Sequence, residues 1–145
     1  MDIIIRNARI SDKENLKDVA IKDGKIIKIE ENIAEKANEE IDADGRVLIP
    51  GLVESHIHMD KALIADRLPN RSGTLAEAIK VTAELKPTFT KEDVEERATK
   101  VLMMLIQHGI THIRTHSEFD PSQGFTGFET ILKLKEKFKN VVDIQ

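Results

Sequence analysis

From Val47 to Gln145 the chain alternates between strand-forming runs and amphipathic helical stretches, and this order constrains its fold more than any other feature. Val47-Leu48-Ile49-Pro50-Gly51-Leu52-Val53 is an apolar run suited to a buried strand, and it leads into Glu54-Ser55-His56-Ile57-His58. Asp60 to Gly73 is polar and broken by Pro69-Asn70 and Ser72-Gly73, so it reads as a long loop. Thr74-Leu75-Ala76-Glu77 has the spacing of a capping box, with Leu75, Ala78, Ile79, Thr82 and Leu85 at helical spacing and Lys86-Pro87 as the stop. Thr90 caps a second helix whose apolar face is Val94, Ala98, Val101, Leu102, Leu105 and Ile106. Met103 and Met104 read as packing residues, and Gly109 suits the left-handed position after the helix. Ile110 to His116 forms the next strand, and Asp120-Pro121 opens a loop. Thr126-Gly127-Phe128-Glu129 reads as another capping box, followed by Phe128, Ile131, Leu132, Lys135 and Phe138 along one helical face. Val141 to Gln145 begins a third strand. Strands that alternate with helices in this way form a parallel α/β sheet.

The first 49 residues are different. Ile3-Ile4-Ile5, Lys17 to Lys22 and Lys25 to Ile29 read as strands, the last two joined by Asp23-Gly24, a strong hairpin signal. Glu30 to Glu40 is charged and reads as loop or short helix, and Ile41-Asp42-Ala43 leads to a second turn at Asp44-Gly45. The expected organisation is therefore a small β-sandwich part over residues 1–49 and an α/β part over 50–145.

The chemistry concentrates at His56-Ile57-His58. Side chains alternate along a strand, so the two histidines share a face while Ile57 takes the other; on a helix the same spacing would splay them. Two neutral imidazoles on one face can grip a single divalent ion from one side. They follow a buried-type strand and precede a long loop, the position where α/β barrels carry their active sites. A strand with two incidental histidines is the structural alternative.

Leu48-Ile49-Pro50-Gly51-Leu52-Val53-Glu54 followed by His56-Ile57-His58 resembles the first barrel strand of the amidohydrolase superfamily. His58-Met59-Asp60-Lys61, Ser72-Gly73-Thr74-Leu75 and Ile113-Arg114-Thr115-His116 resemble its cytosine deaminase branch, which includes triazine and creatinine-type hydrolases. The resemblance implies a metal-dependent hydrolase (β/α)8 TIM barrel beside a small β-sandwich. It also implies that His56 and His58 are two ligands of a divalent metal, zinc or iron. The further histidine and aspartate ligands and the proton-transferring groups are expected beyond Gln145. A full barrel takes about 250 residues, and only about 100 remain after the N-terminal part, so the barrel is expected to be incomplete in this chain and cut in its third strand. The implied reaction of the full-length enzyme is hydrolysis of a C–N bond other than a peptide bond, with cytosine or a related small-molecule heterocycle as substrate. A triazine amine or another cyclic amide is the alternative within the class. A non-catalytic module, folding only with a partner or the remaining barrel, is the alternative outside it.

Other residues are weaker candidates. Asp60 and Lys61 either line or orient the site or form a solvated loop pair. By alternation Glu54 shares the face of His56 and His58, as a partner for Arg114 or a supporting group. Ile113 is expected to face the helices, leaving His112, Arg114 and His116 on the interior face. His116 stands nearest the catalytic end, as a pocket residue or as a hydrogen-bonded structural histidine. His108 caps its helix. Net charge is −4, from 22 Lys+Arg against 26 Asp+Glu, with no basic block, which argues against a nucleic-acid partner. No apolar run approaches the roughly 20 residues of a membrane span, and no signal-peptide pattern opens the chain. There is no cysteine, which excludes a Cys-type zinc site and the deaminases built on one. A cytoplasmic homo-oligomer is the expected setting of the full-length enzyme.

Overall fold

The strand and helix signals are realised in a computed structural model that describes residues 1–68, 70–119 and 121–145. The loop-breaking role read for Pro69 and the loop opening read for Asp120 lie outside the described residues. The chain divides into two compact units, Met1–Pro50 and Gly51–Gln145.

The first unit is one four-stranded sheet in the order β3-β2-β1-β4. Its strands are β1 (Ile3–Ala8), β2 (Lys17–Lys22), β3 (Lys25–Glu30) and β4 (Glu39–Asp42). The β2–β3 hairpin turns at Asp23-Gly24, both with positive φ (51° and 71°), the backbone that a two-residue hairpin of matching twist demands. Strand β4 runs parallel to β1, with Ile5 opposite Ile41. Ile4, Ala20 and Ile33 form the buried centre. The segment between β3 and β4 has no helix; Arg6 fastens it instead. The Arg6 guanidinium donates to the main-chain carbonyls of Ile33 and Glu35 and pairs with Asp18 (2.8 Å) and Glu40 (3.0 Å). Burial would raise the Asp18 pKa, but bonds from Arg6 and from the Ile33 and Asn7 amides outweigh it and hold the carboxyl below its ordinary range.

The second unit is a three-stranded parallel sheet, β5 (Leu52–Ile57), β6 (Ile110–Thr115) and β7 (Asp143–Ile144), in that order. Helix α1 (Leu75–Leu85) and helix α2 (Lys91–Gln107) lie between β5 and β6, and α3 (Thr126–Phe138) lies between β6 and β7. Ile113 and Ile144 stand in register and are 2% and 1% exposed, packed with Met59, Leu102 and Leu134 against the helices. This one-sided layering is an open segment of a (β/α)8 barrel, with helices outside and the opposite strand face toward the barrel axis. That opposite face carries Val53, Ser55, His112 and Arg114, which line a cleft of about 440 Å³.

Several helical readings change in detail. Thr74 and Thr90 do cap α1 and α2, accepting from the amides of Glu77 (3.3 Å) and Asp93 (3.2 Å). In α1 the returning Glu77 carboxylate accepts from the Ser72 amide (2.6 Å), two residues earlier than a capping box places it. Helix α1 buries no residue, and Leu75 and Ile79 are 75% and 61% exposed. In α3 the second capping box does not form: Phe125 occupies the cap position, Thr126 is already helical, and no side chain caps the end. The buried stripe of α3 is Gly127, Thr130, Ile131 and Leu134, with Phe128 and Leu132 exposed. Met103 and Met104 are likewise exposed rather than packed. Gly109 has the expected positive φ of 80°, and His108 Nδ1 bonds the Met104 carbonyl at the end of α2. Among the described residues no helix is long and apolar enough to cross a membrane.

Candidate metal centre

Strand β5 delivers His56 at its last turn of the pleat and His58 just beyond its end, at the edge toward which all three parallel strands point. Their ring centroids are 5.3 Å apart with planes inclined at 66°. An ion about 2.0–2.1 Å from one nitrogen of each ring stands about 3.2 Å from each centroid, so tetrahedral ligation sets the centroids roughly 5 Å apart. The observed separation fits that requirement.

His58 carries a second fitting feature. Its Nδ1 lies 2.9 Å from the main-chain oxygen of His116. A carbonyl only accepts, so Nδ1 is the protonated nitrogen and Nε2 keeps the lone pair. Metal-binding histidines are commonly oriented by this kind of bond from the non-ligating nitrogen.

His116 contributes more than its carbonyl. Its amide donates to the Ile57 carbonyl (2.8 Å), and its ring stacks on His56 at 4.4 Å and 30°. The His116 ring is thus packed on that of His56 and lies 5.6 Å from that of His58, inclined at 43°. Among the described residues no three His, Asp or Glu side chains are grouped to hold a metal ion.

Glu54 accepts from the His56 amide (3.0 Å) and so supports the strand locally. It stands in register with Ile113, the helix-facing residue, and the pairing becomes irregular between Glu54 and Ile57. Strict alternation therefore does not run from Glu54 to His56, and Arg114 donates to Gln145 (3.3 Å) rather than to Glu54. The bulge that shifts the register is invisible to a period-two count.

Asp60 is not part of a solvated pair. It is 1% exposed, within the 3₁₀ turn Met59–Lys61, and its Oδ2 accepts from the Glu118 amide (3.0 Å). The Lys61 ammonium pairs with Glu118, and so does that of Lys86 (2.5 Å). Bonds first from Lys61 and then from Lys86 hold the Glu118 carboxyl down at about 2, against the opposing effect of burial. Lys61, Lys86, Glu118 and His58 line one cavity of about 410 Å³, with Ile64 and Ile79 among its apolar walls. Lys86 and Glu118 were not candidates from sequence. Glu118 follows β6 by three residues, and the rule that barrel sites gather after strand ends is the signal that marks it.

The residues matched by the amidohydrolase family model run from 39 to 136. The chain belongs to the amidohydrolase family. It is 36% identical over 149 aligned residues to N-isopropylammelide isopropyl amidohydrolase of Pseudomonas sp. strain ADP, an alignment covering 99% of this chain and 37% of that protein. The structure of 5-methylcytosine deaminase from Klebsiella pneumoniae liganded with 5-fluorocytosine matches with a TM-score of 0.85 and 36% identity, over 98% of this chain and 35% of that one. Atrazine chlorohydrolase TrzN from Arthrobacter aurescens TC1, in a structure complexed with zinc, shares the fold at a TM-score of 0.75 and 18% identity, over 98% of this chain and 34% of that one. The chain thus spans little more than a third of the relatives it matches, and its second unit is an incomplete amidohydrolase barrel.

Proposed function

We propose that this chain is the N-terminal portion of a metal-dependent hydrolase that removes ammonia or an amine from a heterocyclic ring, cleaving a C–N bond other than a peptide bond. The observation that carries the reading is the histidine pair: two imidazoles on one strand end, 5.3 Å apart, one of them with its Nδ1 proton fixed on a main-chain carbonyl. His56 and His58 would hold the ion, zinc or iron, through one nitrogen each, with Nε2 the available atom of His58. Bound there, a divalent ion supplies Lewis acidity and lowers the pKa of a water toward about 7.

The chain's own residues do the remaining work that can be assigned. His116 braces both histidines. Lys61 and Lys86, tied to the ionised Glu118, wall the cavity beside His58 with groups able to donate to ring oxygens or nitrogens. Cytosine or a related pyrimidine is the preferred substrate class, supported by the 5-methylcytosine deaminase resemblance. Amine release from a triazine ring is the second reading, supported by the N-isopropylammelide relative. A cytoplasmic location and a homo-oligomeric full-length enzyme belong to the same proposal.

Zinc titration followed by calorimetry tests the ligand assignment. The 145-residue chain should bind zinc weakly, since two imidazoles are fewer than the three protein ligands of a catalytic site. His56→Ala and His58→Ala should each abolish that binding, whereas His108→Ala should leave it unchanged. Unaltered binding in both of the first two variants would overturn the assignment.

A further inference from the structure

We propose that Asp60 is a positioning residue for His58, acting through the His116–Glu118 segment; the proposal rests on the reading of His58 as a metal ligand. The turn that carries Asp60 is anchored from below. Arg97, 5% exposed on α2, donates from Nη1 to the carbonyls of Asp60 (3.1 Å) and Ala62 (2.8 Å). Arg97 is itself held by Asp93 (3.1 and 2.9 Å) and lies over the Phe89 ring at 4.6 Å. The Asp60 backbone is thereby fixed to α2, and its side chain reaches across to the loop after β6.

There the carboxylate takes the Glu118 amide (3.0 Å). Two residues earlier, the His116 carbonyl takes the Nδ1 proton of His58 (2.9 Å). The short segment between them is gripped at both ends, once by the Asp60 side chain and once by the His58 ring that Asp60 follows in sequence. The His116 amide on Ile57 (2.8 Å) and the Met59 amide on Thr115 Oγ1 (3.2 Å) complete the lacing of the two loops. The direction of the His116 carbonyl decides which nitrogen of His58 carries a proton, and Asp60 holds the segment that sets that direction.

A purely structural role explains Asp60 poorly. The residue is almost wholly buried, and its Oδ1 has no hydrogen-bond partner. Burying an ionisable group with one oxygen unsatisfied is costly, and an apolar side chain would fill the space at less cost. The space is tailored to it: a Cβ added at Gly127, in the first turn of α3, would approach the Asp60 Cβ to 3.0 Å and Oδ2 to 3.2 Å. Gly127 keeps that approach open.

The test compares two variants of the 145-residue chain. Asp60→Leu keeps the branched shape but cannot accept the Glu118 amide. Asp60→Asn keeps an acceptor oxygen. The metal-free readout is the ring nitrogen-15 spectrum, which reports whether Nδ1 or Nε2 of His58 is protonated; the second readout is zinc affinity. Wild type and Asp60→Asn should both show the Nδ1–H tautomer, with zinc affinities within about 3-fold of one another. Asp60→Leu should shift His58 toward the Nε2–H form and weaken zinc about 10- to 100-fold, the range for loss of a group that orients a ligand. If Asp60→Leu keeps the tautomer and the affinity, the proposal is overturned while the ligand reading survives. If Asp60→Leu loses the tautomer but wild type binds no zinc, the positioning stands and the ligand reading fails. Loss of the tautomer in Asp60→Asn to the same degree as in Asp60→Leu also overturns the proposal, because hydrogen-bond acceptance would then not be its basis.

Discussion

Glu118 accepts from Lys61 and Lys86 through its side chain and donates its amide to Asp60, so three segments meet at one residue. Its carboxyl is held at about 2, below the ordinary 4.5, and a depressed folded-state value means that ionisation favours the folded chain. That contribution is fully present above about 4.5 and is lost as the pH falls through about 2. Glu118→Gln should therefore lower the melting temperature at pH 7, with the difference from wild type closing as the pH is brought from 4.5 toward 2. The side chain is 41% exposed, so solvent screens the pairs, and the loss should be about 1 kcal/mol or less. Thermal melts of both proteins across that range check it, and a gap that persists at pH 2 would contradict the ionic origin. At this scale the His56-Ile57-His58 motif is legible because it involves only neighbours in sequence, and the two rings stand 5.3 Å apart in the structure. The burial of Asp60 is not legible, because its partner amide lies at Glu118, a contact between residues 58 positions apart. The Glu54–Arg114 pairing is not realised for a related reason: a bulge is decided by how β5 pairs with β6, which the sequence of β5 alone does not contain.

Among the elements, most strands and helices expected from pattern exist, but the apolar run from Val47 becomes strand only at Leu52, and Val47, Ile49, Leu52 and Val53 are exposed rather than buried, because they lie before the strand, at its start or on its helix-free face. Helix α2 has its cap, its buried stripe of Val94, Ala98, Val101 and Leu102, and its glycine stop where periodicity put them. Helix α3 starts one residue before the expected first helical position, because Phe125 takes the cap position and the helical backbone already includes Thr126. Local capping spacing was outweighed by packing, since Gly127 must face Asp60 and Leu134 must reach the sheet. This difference is measurable. Thr90→Ala should cost about 1 kcal/mol of stability, as loss of a true cap does. Thr126→Ala should stay within about 0.5 kcal/mol of wild type, as substitutions away from such features do. Chemical denaturation of the two variants separates them, and equal losses would mean that Thr126 acts as a cap in solution. Helix α1 lies where its spacing puts it; its apolar residues have the spacing of a packed face, yet Leu75 and Ile79 stand in the open.

At the scale of the whole molecule, the strands of the second unit leave one face without helices. Val53, Ser55, His112 and Arg114 line a cleft there, and His56 and His58 stand at its carboxyl edge. In a closed barrel of about 250 residues that face is enclosed and water is excluded from it; here three parallel strands leave it open. Charge stabilisation by fixed groups weakens when solvent fills the space around them. Among the described residues no three His, Asp or Glu side chains are grouped to hold a metal ion, and a catalytic zinc site takes three protein ligands and one open position. The 145-residue chain should accordingly show no turnover even with zinc, iron or manganese supplied. The measurement is release of ammonia or amine from cytosine, an aminotriazine and a cyclic amide, run beside a protein extended to the length of the matched relatives. Turnover by the 145-residue chain would falsify the expectation. Turnover by the extended protein, lost in His56→Ala and in His58→Ala, would support the metal-centre assignment and identify the substrate class. Release from the triazine alone would retain the hydrolase reading and replace cytosine as its substrate.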